Sequence, residues 1–109
     1  MLLPRILPAA EADILAVRAT TLRDFGPARL ADYDELLEEA LEALAEDPRA
    51  GRHRPEIDPS AWIFRIDLRK RGIPHLFLYR ILDDNRVEIR GLLHGAMNLG
   101  RHWRRRDPR

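Results

Sequence analysis

Between residues 61 and 103, Arg65, Arg80, Glu88, Arg90 and His94 fall at positions that an extended pattern turns to one side, and Arg101, His102 and Trp103 follow shortly after. His94, at the end of its apolar run, is the candidate general base of this set, because an imidazole titrates near neutral pH. Cutting RNA at a ribose 2′-hydroxyl needs a base, an acid for the leaving oxygen and cations on the phosphate. Arg65, Arg80 and His94 are the residues that would supply them. A basic surface with few acids equally suits the acidic tail of a protein partner. The plainer alternative is that Arg80 pairs with Glu88, and Arg65 with Asp67 or Glu88, as surface ion pairs worth under about 1 kcal/mol each.

Other chemistries find no footing. His53, His75, His94 and His102 show no metal-ligand spacing that a single element would bring together, and no glycine-rich phosphate loop occurs, so no metal or cofactor is expected. The chain has no cysteine, which removes disulfides, thiolate ligands and thiol nucleophiles and fits a reducing compartment. No apolar run approaches the roughly 20 residues that cross a bilayer, and Met1 to Arg5 lacks the apolar segment of a signal peptide. A cytoplasmic location is the resulting expectation. The net charge of +1 hides a division: residues 1–48 hold 4 Arg against 11 Asp and Glu, whereas residues 49–109 hold 15 basic against 7 acidic side chains. A nucleic acid or an acidic peptide would be drawn to the second half.

These residues need elements to position them. The 109 residues predict one domain, 1–109, with a basic tail from about Arg101. Leu2, Leu3, Ile6 and Leu7 lie between prolines and predict a short edge strand. Ile14, Val17, Thr21, Leu22 and Phe25 form the stripe of a helix over 9–25, which Gly26-Pro27 stops. Leu30, Tyr33, Leu37, Leu41 and Leu44 form the stripe of a second helix, opposite Glu35, Glu38, Glu39 and Glu42 and ending near Glu46 before Pro48. The two make a helical hairpin. Residues 49–60 read as a loop. Over 61–68, Trp62, Phe64, Ile66 and Leu68 alternate with Ile63, Arg65 and Asp67, the period of a half-buried strand. After a basic turn over 69–74, two apolar runs flank Asp83-Asp84-Asn85, and Asn85 is the expected left-handed residue of a β-hairpin. A three-residue loop sets Tyr79 opposite Ile89, Arg80 opposite Glu88 and Ile81 opposite Val87, with Phe77 and Leu93 on the same apolar face as Tyr79. A two-residue loop at Asp84-Asn85 would set Arg80 against Ile89 instead. The sum is an α+β fold: an N-terminal strand, a helical hairpin, then three antiparallel strands in one sheet, one face under the helices and the other open.

The run His75-x-x-x-Tyr79-Arg80, a short acidic turn, Leu92-Leu93-His94, then Met97-Asn98 and Arg101-His102 resembles the C-terminal half of ParE-type toxins of the RelE/ParE superfamily. Upstream, Leu44, Pro48, Gly51 and Arg52 resemble the passage that joins hairpin to sheet there, so the likeness runs from Pro4 to Trp103. It implies a RelE/ParE-like fold and the toxin of a type II toxin-antitoxin pair, acting on DNA gyrase and held inactive by a ParD-like antitoxin. It implies no membrane association and no direct DNA binding by the toxin alone. The alternative within the superfamily is a ribosome-dependent mRNA endonuclease of the RelE kind, with Arg65, Arg80 and His94 as catalytic residues. The chain departs from that pattern, since its one lysine, Lys70, lies in a turn and no tyrosine follows the last strand; Leu93-His94-x-x-Met97 is instead ParE-like. On this reading His94, Asn98, Arg101, His102 and Trp103 meet the target, while Ile63, Arg65, Leu78, Arg80 and Arg90 meet the antitoxin. Removal of the chain from Arg101 onward is expected to spare the fold, and Arg104, Arg105 and Arg106 are expected to form a mobile, solvated end.

Overall fold

The computed structural model describes residues 2–66, 75–95 and 98–106. In chain order they form β1 (Arg5–Ile6), α1 (Pro8–Phe25), α2 (Pro27–Glu46), a short 3-10 turn (Pro48–Ala50), β2 (Arg52–His53), β3 (Trp62–Ile66), β4 (His75–Ile81), β5 (Val87–His94) and α3 (Leu99–Arg105). The sheet order is β1-β5-β4-β3-β2, with β1 parallel to β5 and the other pairs antiparallel. This is the expected α+β class, with one more strand than the sequence pattern revealed. Asp67, offered as a partner for Arg65, Leu68 at the end of the expected strand, the basic turn over 69–74, and Met97 lie outside the described residues.

Pro8 and Pro27 each open a helix, where a missing amide proton has no helical acceptor to lose. Gly26 sits between the two helices at φ 86, a backbone region that side-chain-bearing residues avoid, so the chain reverses there with almost no loop. Across the hairpin the Arg18 guanidinium donates to both oxygens of Asp34 at 2.8 and 2.9 Å. The hairpin presses Ala10, Tyr33, Leu37, Ala40 and Leu44 onto Ile66, Phe77, Tyr79, Val87, Ile89 and Leu92 of the sheet, with Trp62 and Phe64 packed alongside. Leu22 and Phe25, expected within the α1 stripe, remain exposed: Leu22 shares the side of α1 that bears the exposed Leu15, away from Ala10, Ile14 and Val17, and Phe25 is the last helical residue before Gly26.

β2 lies in the stretch expected as a loop. Two residues are too few to show a period of 2, so it left no trace in the pattern. Gly51 lets the connection pass close to β3, since a β-carbon there would collide with the Ile63 carbonyl oxygen and the Tyr79 hydroxyl. That hydroxyl donates to the Pro48 carbonyl at 2.8 Å and accepts the Gly51 amide at 3.2 Å, pinning the connection to the centre of the sheet.

The hairpin between β4 and β5 has the three-residue loop. Tyr79 pairs with Ile89, Arg80 with Glu88 and Ile81 with Val87, and Asn85 has φ 67. Beyond Tyr79 the register shifts, so that Leu78 faces Gly91 and Arg90 is the extra residue of a β-bulge. The shift corrects one expectation: Leu92, not Leu93, joins Phe77 under the helices, and Leu93 turns to the opposite face.

That opposite face is only partly open. Ala61, Leu76, Leu78 and Leu93 form a second, smaller core closed by Trp103 of α3, with Ile57, Ile63 and Leu99 at its margin. Trp103 is 4% exposed. The C-terminal segment is thus a docked helix, where the sequence suggested at most a helical turn in a solvated basic tail: the Trp103 indole gains by leaving water for the sheet while Arg104 and Arg105 keep their charges in solvent.

Candidate functional site

α3 starts at Asn98, whose side-chain oxygen accepts the Arg101 amide at 3.1 Å, an N-cap that satisfies one of the helix's free donors. From there Trp103 points down to the sheet and lies over Arg90, the guanidinium carbon 4.0 Å from the ring centroid. A cation held against an indole face out of water gains from the ring quadrupole. The bulge makes this possible by lifting Arg90 out of the regular ladder. Two residues earlier on the same strand, Glu88, 2% exposed, accepts from Arg80 Nε at 2.7 Å. The second face therefore holds an ion pair and a stacked cation beside its small apolar core.

The far end of α3 is tied to α1. Arg106 Nη2 lies 2.8 and 2.9 Å from the two oxygens of Asp13, and Asp13 also accepts the Leu92 amide at 3.1 Å. Arg106 Nη1 donates to His102 Nδ1 at 2.6 Å. Burial, reinforced by the Arg106 charge, holds the His102 pKa below its ordinary value. Arg106 is a strut of the fold, which corrects its expected place in a mobile end. For the same reason removal from Arg101 onward would take away Trp103 and Arg106 together and uncover Leu78 and Leu93, so a loss of stability is expected in place of a spared fold. Asp13 was overlooked in the sequence, although a charge one position from Ile14 and three from Ala10, on the inward side of α1, needs a partner.

At the other end of β5, His94 pairs with His75, their rings 6.4 Å apart, and His75 Nδ1 is 2.7 Å from the Tyr33 hydroxyl. Burial lowers the His75 pKa first and His94 lowers it further, whereas burial raises that of Tyr33.

The structure does not bring the three nuclease candidates together. Arg80 is bonded to Glu88 and stands five residues along β4 from the partner of His94, about 16 Å at roughly 3.3 Å per residue. Arg65 is exposed on β3 opposite Leu76. Of the residues expected to meet a target, Asn98 caps α3, Trp103 is core, His102 is half-buried against Arg106, His94 is half-buried at the strand end, and Arg101 is exposed. Arg104 and Arg105 extend that exposed basic surface. Of those expected to meet the antitoxin, Leu78 and Arg90 are buried beneath Trp103, Ile63 and Arg80 are half-buried, and Arg65 is exposed. No group of three or more His, Asp or Glu side chains among the described residues is placed to hold a metal. No helix described is long and apolar enough to cross a membrane.

The fold and this surface define a small α+β domain that offers a basic helix on one side of its sheet and no assembled catalytic trio among the three candidates. The family model for the ParE toxin of the type II toxin-antitoxin system, parDE, matches residues 5–99, and the chain belongs to that family. It is the toxin component of such a pair, and its partner is an antitoxin. A search of curated proteins finds no match.

Proposed function

We propose that this toxin inhibits DNA gyrase in the cytoplasm, without cutting RNA, and is neutralised by a ParD-like antitoxin. The observation that carries the proposal is the dispersal of the nuclease candidates: Arg80 is committed to Glu88 and stands about 16 Å along the strand from the His94 position. Cleavage needs base and cations within hydrogen-bond reach of one phosphate. The exposed arginines of α3, Arg101, Arg104 and Arg105, are the proposed gyrase contacts, with His102 beside them and Asn98 and Trp103 fixing the helix beneath, while His94, next to His75 on the hairpin side, is a separate candidate contact at the strand end. Ile63, Arg65 and Arg80 are the proposed antitoxin contacts, supported from below by Leu78 and Arg90. An acidic antitoxin segment suits them because the second half of the chain carries the excess of arginine.

Purified gyrase, plasmid and ATP provide the test. The toxin should trap cleaved plasmid, the antitoxin should prevent trapping, and mRNA ends mapped in cells making the toxin should show no codon-phased cuts. Codon-phased cuts that vanish in His94→Ala, with plasmid intact, would establish the endonuclease reading instead.

A further inference from the structure

The outward side of α1 departs from what a surface helix normally carries. Its inward side is given by Ala10, Ile14 and Val17. On the opposite side Ala12, Leu15, Ala19 and Leu22 follow at spacings of 3, 4 and 3, and all four are exposed. Leu15 is 57% and Leu22 47% exposed. A helix face turned to water ordinarily bears charge, as α2 does with Glu35, Glu38, Glu39 and Glu42, which are all exposed. On α1 the charge nearest the middle of the ridge, Arg18, is drawn sideways into its bond with Asp34.

We infer that this ridge is a seam for a second copy of the chain, packed antiparallel. The 3-4-3 spacing is that of a coiled-coil seam, and alternate small and large residues suit knobs in holes. An antiparallel copy centred on residue 17 sets Leu15 over the partner's Ala19 and Leu22 over the partner's Ala12, each large side chain facing a small one. A parallel copy would set leucine against leucine and alanine against alanine, leaving gaps between the bulges. α1 carries Glu11 in its first turn and Arg23 in its last, so antiparallel packing sets Glu11 opposite the partner's Arg23, whose charge is shared with the adjacent Asp24. Antiparallel helices also oppose their dipoles. One ridge covers less than the roughly 800 Å² per partner of a standard interface, so the dimer is weak and forms with rising concentration. The inference concerns the chain alone and stands or falls apart from the gyrase reading.

Sedimentation velocity of the full chain over about a hundredfold concentration range should show the mass rising from 12.7 kDa toward twice that value. Leu15→Glu with Leu22→Glu should weaken association about tenfold or more without lowering the melting temperature. Ala19→Leu should also weaken it, whereas a merely sticky face would gain from the added apolar area. Because the chain has no cysteine, Leu15→Cys protein mixed with Ala19→Cys protein should form the mixed disulfide in preference to either homodisulfide. A monomer throughout the range, tighter association of Ala19→Leu, or preferred homodisulfides would each overturn the seam. So would loss of antitoxin binding by Leu15→Glu/Leu22→Glu with unchanged self-association, which would assign the ridge to the antitoxin.

Discussion

The two faces of the sheet are held by different means. Under the helical hairpin, six buried sheet residues from Ile66 to Leu92 meet a continuous apolar stripe, and loss of any one contact is shared among many neighbours. On the other face four buried apolar residues are closed, among the described residues, chiefly by Trp103 with Ile57, Ile63 and Leu99 at the margin, while Arg80–Glu88 and Arg106–Asp13 bonds and the Arg90 stack complete the surface. Stability there rests on a few directional groups, and the same helix that supplies them exposes Arg101, Arg104 and Arg105 to solvent. The hairpin face is scaffold, and the α3 face joins scaffold to the proposed recognition surface.

The sharpest way to break that contrast is to remove α3. Deletion from Arg101 onward should lower stability by more than Trp103→Ala, itself expected to cost about 3–5 kcal/mol by denaturant unfolding. A truncated chain that melts as the full chain does would return α3 to the status of a dispensable tail. Next in size comes Asp13→Asn, which leaves the Arg106 guanidinium, 13% exposed, without its carboxylate. A loss of about 1–3 kcal/mol is expected, and Asp13→Asn should add little in a chain already carrying Arg106→Met. Full additivity of the two changes would show that the bond contributes nothing.

Acid should act on the same region. His75 and His102 both have pKa values below the ordinary 6.5, from burial in each case, aided by His94 for the first and Arg106 for the second. Protonation therefore favours the unfolded chain, so their stability contribution is intact above about pH 6.5 and is lost as pH falls through the depressed folded values. The denaturant midpoint should drop between pH 7.5 and 5.5, with a shallower drop in His75→Gln; a midpoint that rises on acidification would contradict the assignment. The smallest effect on stability belongs to Arg104→Ala with Arg105→Ala, within about 0.5 kcal/mol because both side chains are solvated.

Much of the hairpin face was legible in the sequence, because helix stripes and strand alternation are periodic and Trp62, Phe64, Tyr33 and Leu37 sit in phase. Asn85 marked the turn of the β4–β5 hairpin and with it the register near Arg80. The α3 face was harder. Gly91 inside a strand run was the one hint of the bulge that displaces Arg90 and turns Leu93 over. Trp103 lay among arginines whose charge suggested a solvated end, and its size alone did not decide between an anchor on the sheet and a contact for the target. Asp13 and Arg106 are 93 residues apart in the chain, and no local pattern joins them. Arg80 illustrates the reverse: the register that set it opposite Glu88 already carried the ion-pair alternative, and the structure forms that pair.

Trp103 and Arg106 fix α3 to the sheet, and its outer arginines are the proposed gyrase contacts. The most direct test is plasmid trapping by purified gyrase with Arg101→Glu/Arg104→Glu/Arg105→Glu protein, beside a melting curve of the same preparation. Unchanged melting with trapping lost is the predicted result. Unchanged melting with trapping equal to that of the unaltered toxin would contradict it and place the target contact elsewhere on the molecule.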